Sequence, residues 1–223
     1  MSFSDAASDI RYLLDRGYPH ESAVRFVCAH YRLDENQKQL LSRSVLSKEV
    51  SEKRREKFLP CDNIKEETIV IDGYNILIGM ESIVEKKAFI CDDGVIRDVK
   101  GIFRNFKISK SIETAIDLIL QFLEENNPDY VCFILDSQIS KSGLLAATLR
   151  EKLKEYGLKG DAMTSKHVDY DLKKSTYIVA SSDGVIIDTA ERVVNFLYCL
   201  VMRFKYLKEG VVRELKEIRT TKN

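Results

Sequence analysis

Three apolar runs in this sequence end in aspartates, and these aspartates are the residues best placed to do chemistry. The runs lie at about 69–71, 133–135 and 178–180, and the aspartates are Asp72, Asp136 and Asp183. Short continuous apolar runs are typical of strands buried on both faces of a parallel sheet. Ligands of such sheets bind beyond the carboxyl ends of the strands. We therefore expect the three carboxylates to share one edge of a sheet.

A fourth acid, Asp169, precedes the last of these runs. Clustered carboxylates repel one another, and each raises the pKa of its neighbours unless a cation lies among them. A hard divalent ion with oxygen ligands resolves this conflict. The pattern therefore predicts Mg²⁺ or Mn²⁺ at these acids, where the ion would activate water against a phosphodiester. A strand-end aspartate is also a common turn former or helix N-cap, and for each residue that interpretation stays open.

Four motifs, in this order, resemble those of NYN-type nucleases, which are members of the PIN-like superfamily. They are Asp72-Gly73-Tyr74-Asn75, Phe133-Ile134-Leu135-Asp136, Val168-Asp169-Tyr170-Asp171 and Ser181-Ser182-Asp183-Gly184. The resemblance spans roughly residues 68–190, about half of the chain. It implies a PIN-like parallel sheet between helices and a metal-dependent endoribonuclease with RNA as substrate. With its N-terminal helical segment, the chain also resembles an uncharacterised, largely archaeal family, which supplies no known substrate.

The same resemblance implies roles for individual side chains. The catalytic and metal-binding set would be Asp72, Asp136, Asp169 and Asp183. Asn75 would support the first turn or touch a phosphate, and Ser181 and Ser182 would orient Asp183 or a phosphate oxygen. Lys166 is a candidate phosphate contact, although a solvated loop is the simpler interpretation there. Further acids that could complete the site are Asp98, Glu113, Asp117, Asp171 and Asp188.

The elements that must position these residues alternate between strand and helix from about residue 67, which is typical of an α/β fold. Strands are expected at 68–71, 130–135 and 176–180. Helices are expected from a cap at Ser109 or Ser111 to about Asn126, at 145–156, and from Asp188 to about residue 206. The segment 88–99, with Asp92-Asp93-Gly94 between β-rich arms, predicts a hairpin.

Residues 1–58 are expected to form a helical module ahead of an α/β domain at 67–223. Apolar stripes with breaks near Pro19 and Asp34 predict three short helices. These helices could form a helix-turn-helix, although plain three-helix packing is the commoner case; its exposed basic residues would be Arg32, Lys38, Arg43 and Lys48. The charged segment 48–58 is interpreted as a solvated helix end or linker, in which residues 53–55 could contact phosphates.

Composition narrows the class of protein. The chain has 223 residues, of which 44% are hydrophobic, so it can bury a core and is not disordered. Thirty-five basic residues balance thirty-five acidic ones, which excludes a globally basic nucleic-acid binder but not a local basic patch. The five scattered cysteines predict a reducing cytoplasm and no disulfide framework. Neither a signal peptide nor a membrane span is expected, so no membrane partner is.

Three functions remain open. An endoribonuclease using Mg²⁺ or Mn²⁺ is the leading interpretation, and a non-catalytic PIN-like RNA-binding or scaffold protein is the first alternative. A TOPRIM-like phosphotransfer enzyme is the second, although that fold has a glutamate where Asp72 stands. NTPase and dinucleotide-binding functions are excluded because neither GxxxxGK[ST] nor GxGxxG occurs. Whether the chain forms a homodimer stays open.

Overall fold

Strands and helices alternate along the part of the chain that this computed structural model describes, residues 3–98, 106 and 108–212. The strands are β1 (Phe58–Leu59), β2 (Thr68–Asp72), β3 (Ala88–Ile90), β4 (Ile96–Asp98), β5 (Tyr130–Asp136), β6 (Gly160–Ser165), β7 (Ile178–Ala180), β8 (Val193–Val194) and β9 (Val211–Val212). The helices are α1 (Phe3–Leu14), α2 (His20–Tyr31), α3 (Glu35–Ser44), α4 (Lys48–Lys57), α5 (Gly73–Val84), α6 (Lys110–Asn126), α7 (Ser142–Glu155), α8 (Val168–Lys173), α9 (Gly184–Thr189) and α10 (Phe196–Arg203). Short 3-10 helices lie at Cys61–Ile64 and Lys205–Gly210.

Six of the strands form one parallel sheet in the order β1-β8-β7-β2-β5-β6. This confirms the prediction of an α/β fold with a mostly parallel sheet flanked by helices. The chain builds β5 and β6 on one side of β2, and β7 and β8 on the other. The strand order therefore reverses between β2 and β7, which is where open α/β sheets bind their ligands.

Alternate residues of the central strands pack into two different cores. Ile69 and Ile71 of β2 face a large core formed with α5, α6, α7 and α10, whereas Val70 faces a smaller one under α8 and α9. Ser109 caps α6 by accepting a hydrogen bond from the Ile112 N–H, as its sequence predicts. Both faces of β2 are thus covered, and only its end is left to present polar groups.

The segment 88–98 forms the predicted hairpin. β3 and β4 pair in antiparallel fashion, and Gly94 adopts a φ of +78° in the turn between them. β9 adds to β3 in parallel, which makes a small three-stranded sheet. Residue 99, the end of the predicted segment, lies outside the described residues.

The N-terminal residues form the predicted helices around their own apolar core, to which Ile10, Val27 and Leu41 contribute. Asp34 caps α3, and a reciprocal bond from its own N–H to the Gln37 side chain completes a capping box. Of the two interpretations of the charged segment, a helix end or a linker, the linker is wrong, because 48–57 is the helix α4. Ser47 caps this helix by accepting a hydrogen bond from the Val50 N–H, and Arg54 within it pairs with Asp93 and Asp188, which lie far away in the sequence.

The predicted long helix from Asp188 is also wrong. The chain instead ends α9 at Thr189, adds the strand β8, and resumes as α10. Val193 and Val194 pair with β7 on one side and β1 on the other. A short apolar run is compatible with a buried strand as well as with a helix, and here pairing with the two neighbouring strands makes it a strand. β6 was not predicted, since its sequence GDAMTS is largely polar.

Cys61 and Cys199 form a disulfide, contrary to the prediction that the chain has none. Their Cα atoms lie 5.6 Å apart although 138 residues separate them in sequence. Local spacing carries no information about such a pair, because only the packing of α10 against the segment after β1 brings it together. Cys28, Cys91 and Cys132 are free thiols.

None of the helices in the described part of the chain combines the length and apolar character that a bilayer crossing requires.

Candidate active site at the carboxyl edge of the sheet

The strands β5, β2 and β7 are neighbours, so their terminal aspartates lie along one edge of the sheet. Asp72 is level with Ile134 of β5, which places Asp136 two residues further out. On the other side Ile71 is level with Ala180, so Ser181 lies opposite Asp72 and Asp183 lies beyond it. Asp72 is therefore the recessed member of the group, at the point where the strand order reverses.

Asp72 is an unusual carboxyl group. The Ser181 hydroxyl donates a hydrogen bond of 2.8 Å to its Oδ2 atom, and the backbone N–H of Asn75 also donates to it. Burial raises the pKa of Asp72 from 3.8 to about 7; the charges of Asp183 and Asp169 add to this increase, and the two hydrogen bonds oppose it. Asp72 therefore changes its charge near neutral pH, as groups at functional sites often do.

Hydrogen bonds connect Asp72 to the turn between β7 and α9. The N–H of Asp183 donates to the Ser181 hydroxyl oxygen at 3.1 Å, and the N–H of Ser182 donates to Oδ1 of Asn75 at 2.7 Å. Both serines are buried. Asn75 therefore supports the turn after β7, and Ser181 contacts both Asp72 and the backbone of Asp183.

Asp183 and Asp136 each form a turn as well as facing the site. Oδ1 of Asp183 accepts hydrogen bonds from the N–H groups of Val185 and Ile186, which makes Asp183 the N-cap of α9. Oδ1 of Asp136 accepts one from the N–H of Gln138. The turn-forming interpretation left open by the sequence is thus correct for both. Each keeps a second carboxylate oxygen that makes no hydrogen bond within the described residues.

The acids of α8 point to different partners. Val168 and Leu172 anchor this helix to the core, which leaves Asp169 exposed on one side, where it acts on Asp72. Asp171 lies on the other side, and its Oδ2 accepts a hydrogen bond of 2.5 Å from the Ser165 hydroxyl at the end of β6. Of the two, Asp169 is the one that belongs electrostatically to Asp72.

Tyr74 is a site residue that the sequence reasoning missed. Its ring is buried, its hydroxyl has no hydrogen-bond partner among the described residues, and burial and the charge of Asp136 raise its pKa to about 12. Buried hydroxyl groups normally have a partner. Its position in the motif after Asp72 was the available signal. Tyr74 therefore lies within the electrostatic influence of Asp136.

The remaining candidates have structural or surface positions. Asp98 pairs with Arg43, Asp117 pairs with Lys152, and Glu113 and Lys166 are exposed. Asp188 accepts two hydrogen bonds of 2.8 Å from Arg54. Ion pairs with cations of the helical module thus occupy Asp98 and Asp188, and neither is among the acids that act on Asp72.

A buried ion network lies behind the turn that carries Asp183, and sequence reasoning missed it too. Arg54 and Arg97 both donate hydrogen bonds of 2.9–3.1 Å to the carboxylate of Asp93. These three residues are here called the arginine clamp. Nε of Arg97 donates to the carbonyl of Ser182 at 2.9 Å. A Cβ on Gly184 would lie 2.6 Å from Nη2 of Arg54, so a larger residue there would displace the guanidinium group of Arg54. Arg97 thus holds the turn directly, and Arg54 connects the helical module to this region through Asp93 and through Asp188 of α9.

The donor set suits a hard divalent ion, although no preformed cage is present. Within residues 3–98, 106 and 108–212, no three His, Cys, Asp or Glu side chains form a cluster that could hold a metal. Mg²⁺ commonly takes only one or two carboxylates and keeps several waters. Asp72 with one further carboxylate, Asp183, fits that requirement, because both present oxygen ligands at the strand-order reversal.

Comparison with known proteins places the chain among uncharacterised families. The family described as "Domain of unknown function (DUF5616)" matches residues 61–199, and the one described as "Protein of unknown function (DUF434)" matches residues 2–57. An uncharacterized protein of Methanocaldococcus jannaschii is 35% identical over 210 residues, which cover 94% of this chain and 100% of that protein. No solved structure gives a significant match. Because the first match covers more than half of the chain, the chain belongs to the DUF5616 family.

Proposed function

We propose that the carboxyl edge of this sheet hydrolyses phosphodiester bonds, with RNA as substrate and Mg²⁺ or Mn²⁺ as cofactor. The observation that carries this is the carboxyl group of Asp72, which is recessed at the strand-order reversal, has a pKa of about 7, and faces the charges of Asp183 and Asp169. A cation would remove the repulsion among these acids. The resemblance of four motifs to NYN-type nucleases is an independent support, and a parallel sheet flanked by helices is compatible with a PIN-like domain.

Each side chain at the edge has a task in this reaction. A bound divalent ion would lower the pKa of a coordinated water and stabilise the charge that develops on the phosphate. Asp72 and Asp183 would hold it, while Asp136 and Asp169 would bind its outer waters. Ser181 orients the Asp72 carboxylate and, through the N–H of Asp183, keeps the two acids in register. Asn75 holds the turn in place.

The test is the initial rate of cleavage of a fluorescent single-stranded RNA in Mg²⁺ or Mn²⁺. Asp72→Asn and Asp183→Asn preserve side-chain shape and remove charge, so we expect each to lower the rate about 100-fold or more and to weaken Mn²⁺ binding measured by calorimetry. EDTA should abolish cleavage. Asp129→Asn is the matched control, because Asp129 is exposed before the opposite end of β5 and should change nothing.

Two outcomes would contradict this proposal in different ways. If the wild type cuts no nucleic acid with either ion, yet binds RNA as well as both asparagine variants do, the protein is an RNA-binding scaffold. If cleavage persists undiminished in both variants, the reaction takes place elsewhere. Circular dichroism of each variant ensures that lost activity does not reflect lost fold.

A further inference from the structure

A cleft of about 840 Å³ lies between the helical module and the candidate active site. On the α/β side its wall includes Asn75, Ser182 and Asp183, and on the helical side it is formed largely by α3. Because Asp183 belongs to the wall, a ligand that fills the cleft reaches the acidic edge of the sheet. The volume lies in the range typical of sites that bind small or narrow ligands.

The α3 wall carries polar side chains that have weak partners or none among the described residues. Lys38, Gln39 and Ser42 lie on one face of the helix, since residues three and four apart are neighbours. The Gln39 amide and the Ser42 hydroxyl donate no hydrogen bond to any described residue. Among the described residues Lys38 pairs only with Glu35, at a long, exposed distance of 3.4 Å, and a pair of this kind contributes little to stability. An ammonium, an amide and a hydroxyl are the groups with which proteins contact phosphates and base edges.

One ion pair of the lining presents its cation to the cleft. The side chain of Arg43 is 36% exposed, whereas that of its partner Asp98 is 9% exposed. Asp93, which pairs with both other lining arginines, is completely buried. The exposed acids of the lining other than Asp183 are Glu35, which makes only the long pair with Lys38 among the described residues, and Asp188, which Arg54 neutralises. The exposed cations of the lining, Lys38 and Arg43, therefore both lie on α3, and this wall is the part of the cleft that offers positive charge to an anion.

We infer that this cleft binds a single strand of nucleic acid, and that the helical module thereby supplies one wall of the substrate site. The choice of nucleic acid as ligand rests on the proposed function. A helix that reads a duplex must project into the major groove. α3, the third helix of the module that could form a helix-turn-helix, instead faces inward to the α/β domain. A duplex has no access to that face, whereas a single strand can enter the cleft and run to Asp183.

Binding is tested without cleavage, by fluorescence anisotropy of an end-labelled single-stranded RNA of about 12 nucleotides in EDTA. We expect Lys38→Glu to raise the Kd about 10-fold and to reduce its salt dependence by about one counterion, and Gln39→Ala to raise the Kd about 3-fold. Arg25→Glu is the control, since Arg25 is exposed on α2 outside the cleft and its reversal changes the net charge equally. It should change the Kd less than about 2-fold.

Three results would overturn the inference: equal weakening by Lys38→Glu and Arg25→Glu, no binding of the single strand by the wild type, or tighter binding of a duplex of the same sequence. Failure of the proposed function looks different. If Lys38→Glu loses binding but the wild type cuts nothing with Mn²⁺, the cleft stands and hydrolysis does not. If the wild type cuts RNA while the Lys38 and Gln39 variants bind and cut like it, hydrolysis stands and the cleft does not.

Discussion

Asp72 shows how a single residue can serve function at the expense of stability. Its carboxyl group is partly buried at the end of the central strand, and burial together with two neighbouring acids disfavours its charged form. The hydrogen bonds from Ser181 and Asn75 stabilise the charged form, but they offset only part of this destabilisation. An asparagine at this position would avoid the cost of burying a charge. The carboxyl group of Asp72 is therefore best explained by a ligand that its charged form binds.

The pH dependence of stability tests this account in the metal-free protein. The pKa of Asp72 rises from 3.8 to about 7 on folding, so its contribution to the free energy of unfolding falls as pH increases from about 4 to about 7. We expect Asp72→Asn to become progressively more stable than the wild type over this window, by about 2 kcal/mol at pH 8, less than the full ~1.4 kcal/mol per pKa unit because Asp72 is partly exposed.

Urea denaturation at several pH values measures this difference. Asp129→Asn serves again as control, since its exposed carboxylate should show no such trend. Excess Mn²⁺ should reverse the order at pH 8, because it binds the wild type more tightly than the variant. A constant stability difference from pH 4 to pH 8 would contradict the account.

At the scale of elements, the arginine clamp joins the helical module to the turn between β7 and α9. Asp93 comes from the hairpin turn, Arg54 from α4 and Arg97 from β4, so three separate elements meet at one buried carboxylate. Burial by itself would raise the pKa of Asp93, but the charges and hydrogen bonds of the two arginines hold it below its usual value. The clamp fixes the backbone of Ser182 and thereby the position of Asp183.

Removal of one partner from a buried ion network leaves uncompensated charge. We expect Asp93→Asn to lower the free energy of unfolding by about 3–5 kcal/mol, because two guanidinium groups lose their shared carboxylate. Glu125→Gln is the matched control: it breaks the largely exposed pair with Arg203 and should cost less than about 1 kcal/mol. Equal effects of the two changes in urea denaturation would show that the clamp is not a buried network.

At the scale of the whole molecule, the disulfide between Cys61 and Cys199 ties the beginning of the α/β domain to α10. It closes a long loop, since 138 residues separate its ends. Cross-links of this kind stabilise mainly by restricting the unfolded chain. Cys61 lies in the segment that connects α4 and β1 to β2. The disulfide therefore also restricts the movement of the residues that precede β2.

Reduction should therefore destabilise the protein by about 3–5 kcal/mol. We expect Cys61→Ser to match the reduced wild type in urea denaturation and to be insensitive to dithiothreitol. Cys132→Ser, which removes a half-buried free thiol, should remain sensitive to the reductant. Mass spectrometry after alkylation of the unreduced, denatured chain should count three labelled cysteines; five would mean that the disulfide does not form.

The elements with strong local signals were predictable. Asp34 at the start of α3, Ser109 at the start of α6, and the apolar runs of β2 and β5 carry caps and periodicities that neighbouring residues alone determine. β8 was not predictable, because its state depends on partners far away in the sequence. β8 is a strand since β7 and β1 flank it.

The sequence by itself determined where the acids stand along the chain, and that apolar runs before them build a parallel sheet. This follows because burial on both faces demands continuous apolar residues, and a strand must end where polar ones begin. Only the tertiary structure decided which groups act together. Ser181 reaches Asp72 across 109 residues, and Arg54 reaches Asp188 across 134. Strand order and module packing create such contacts, and no local pattern in the chain encodes them.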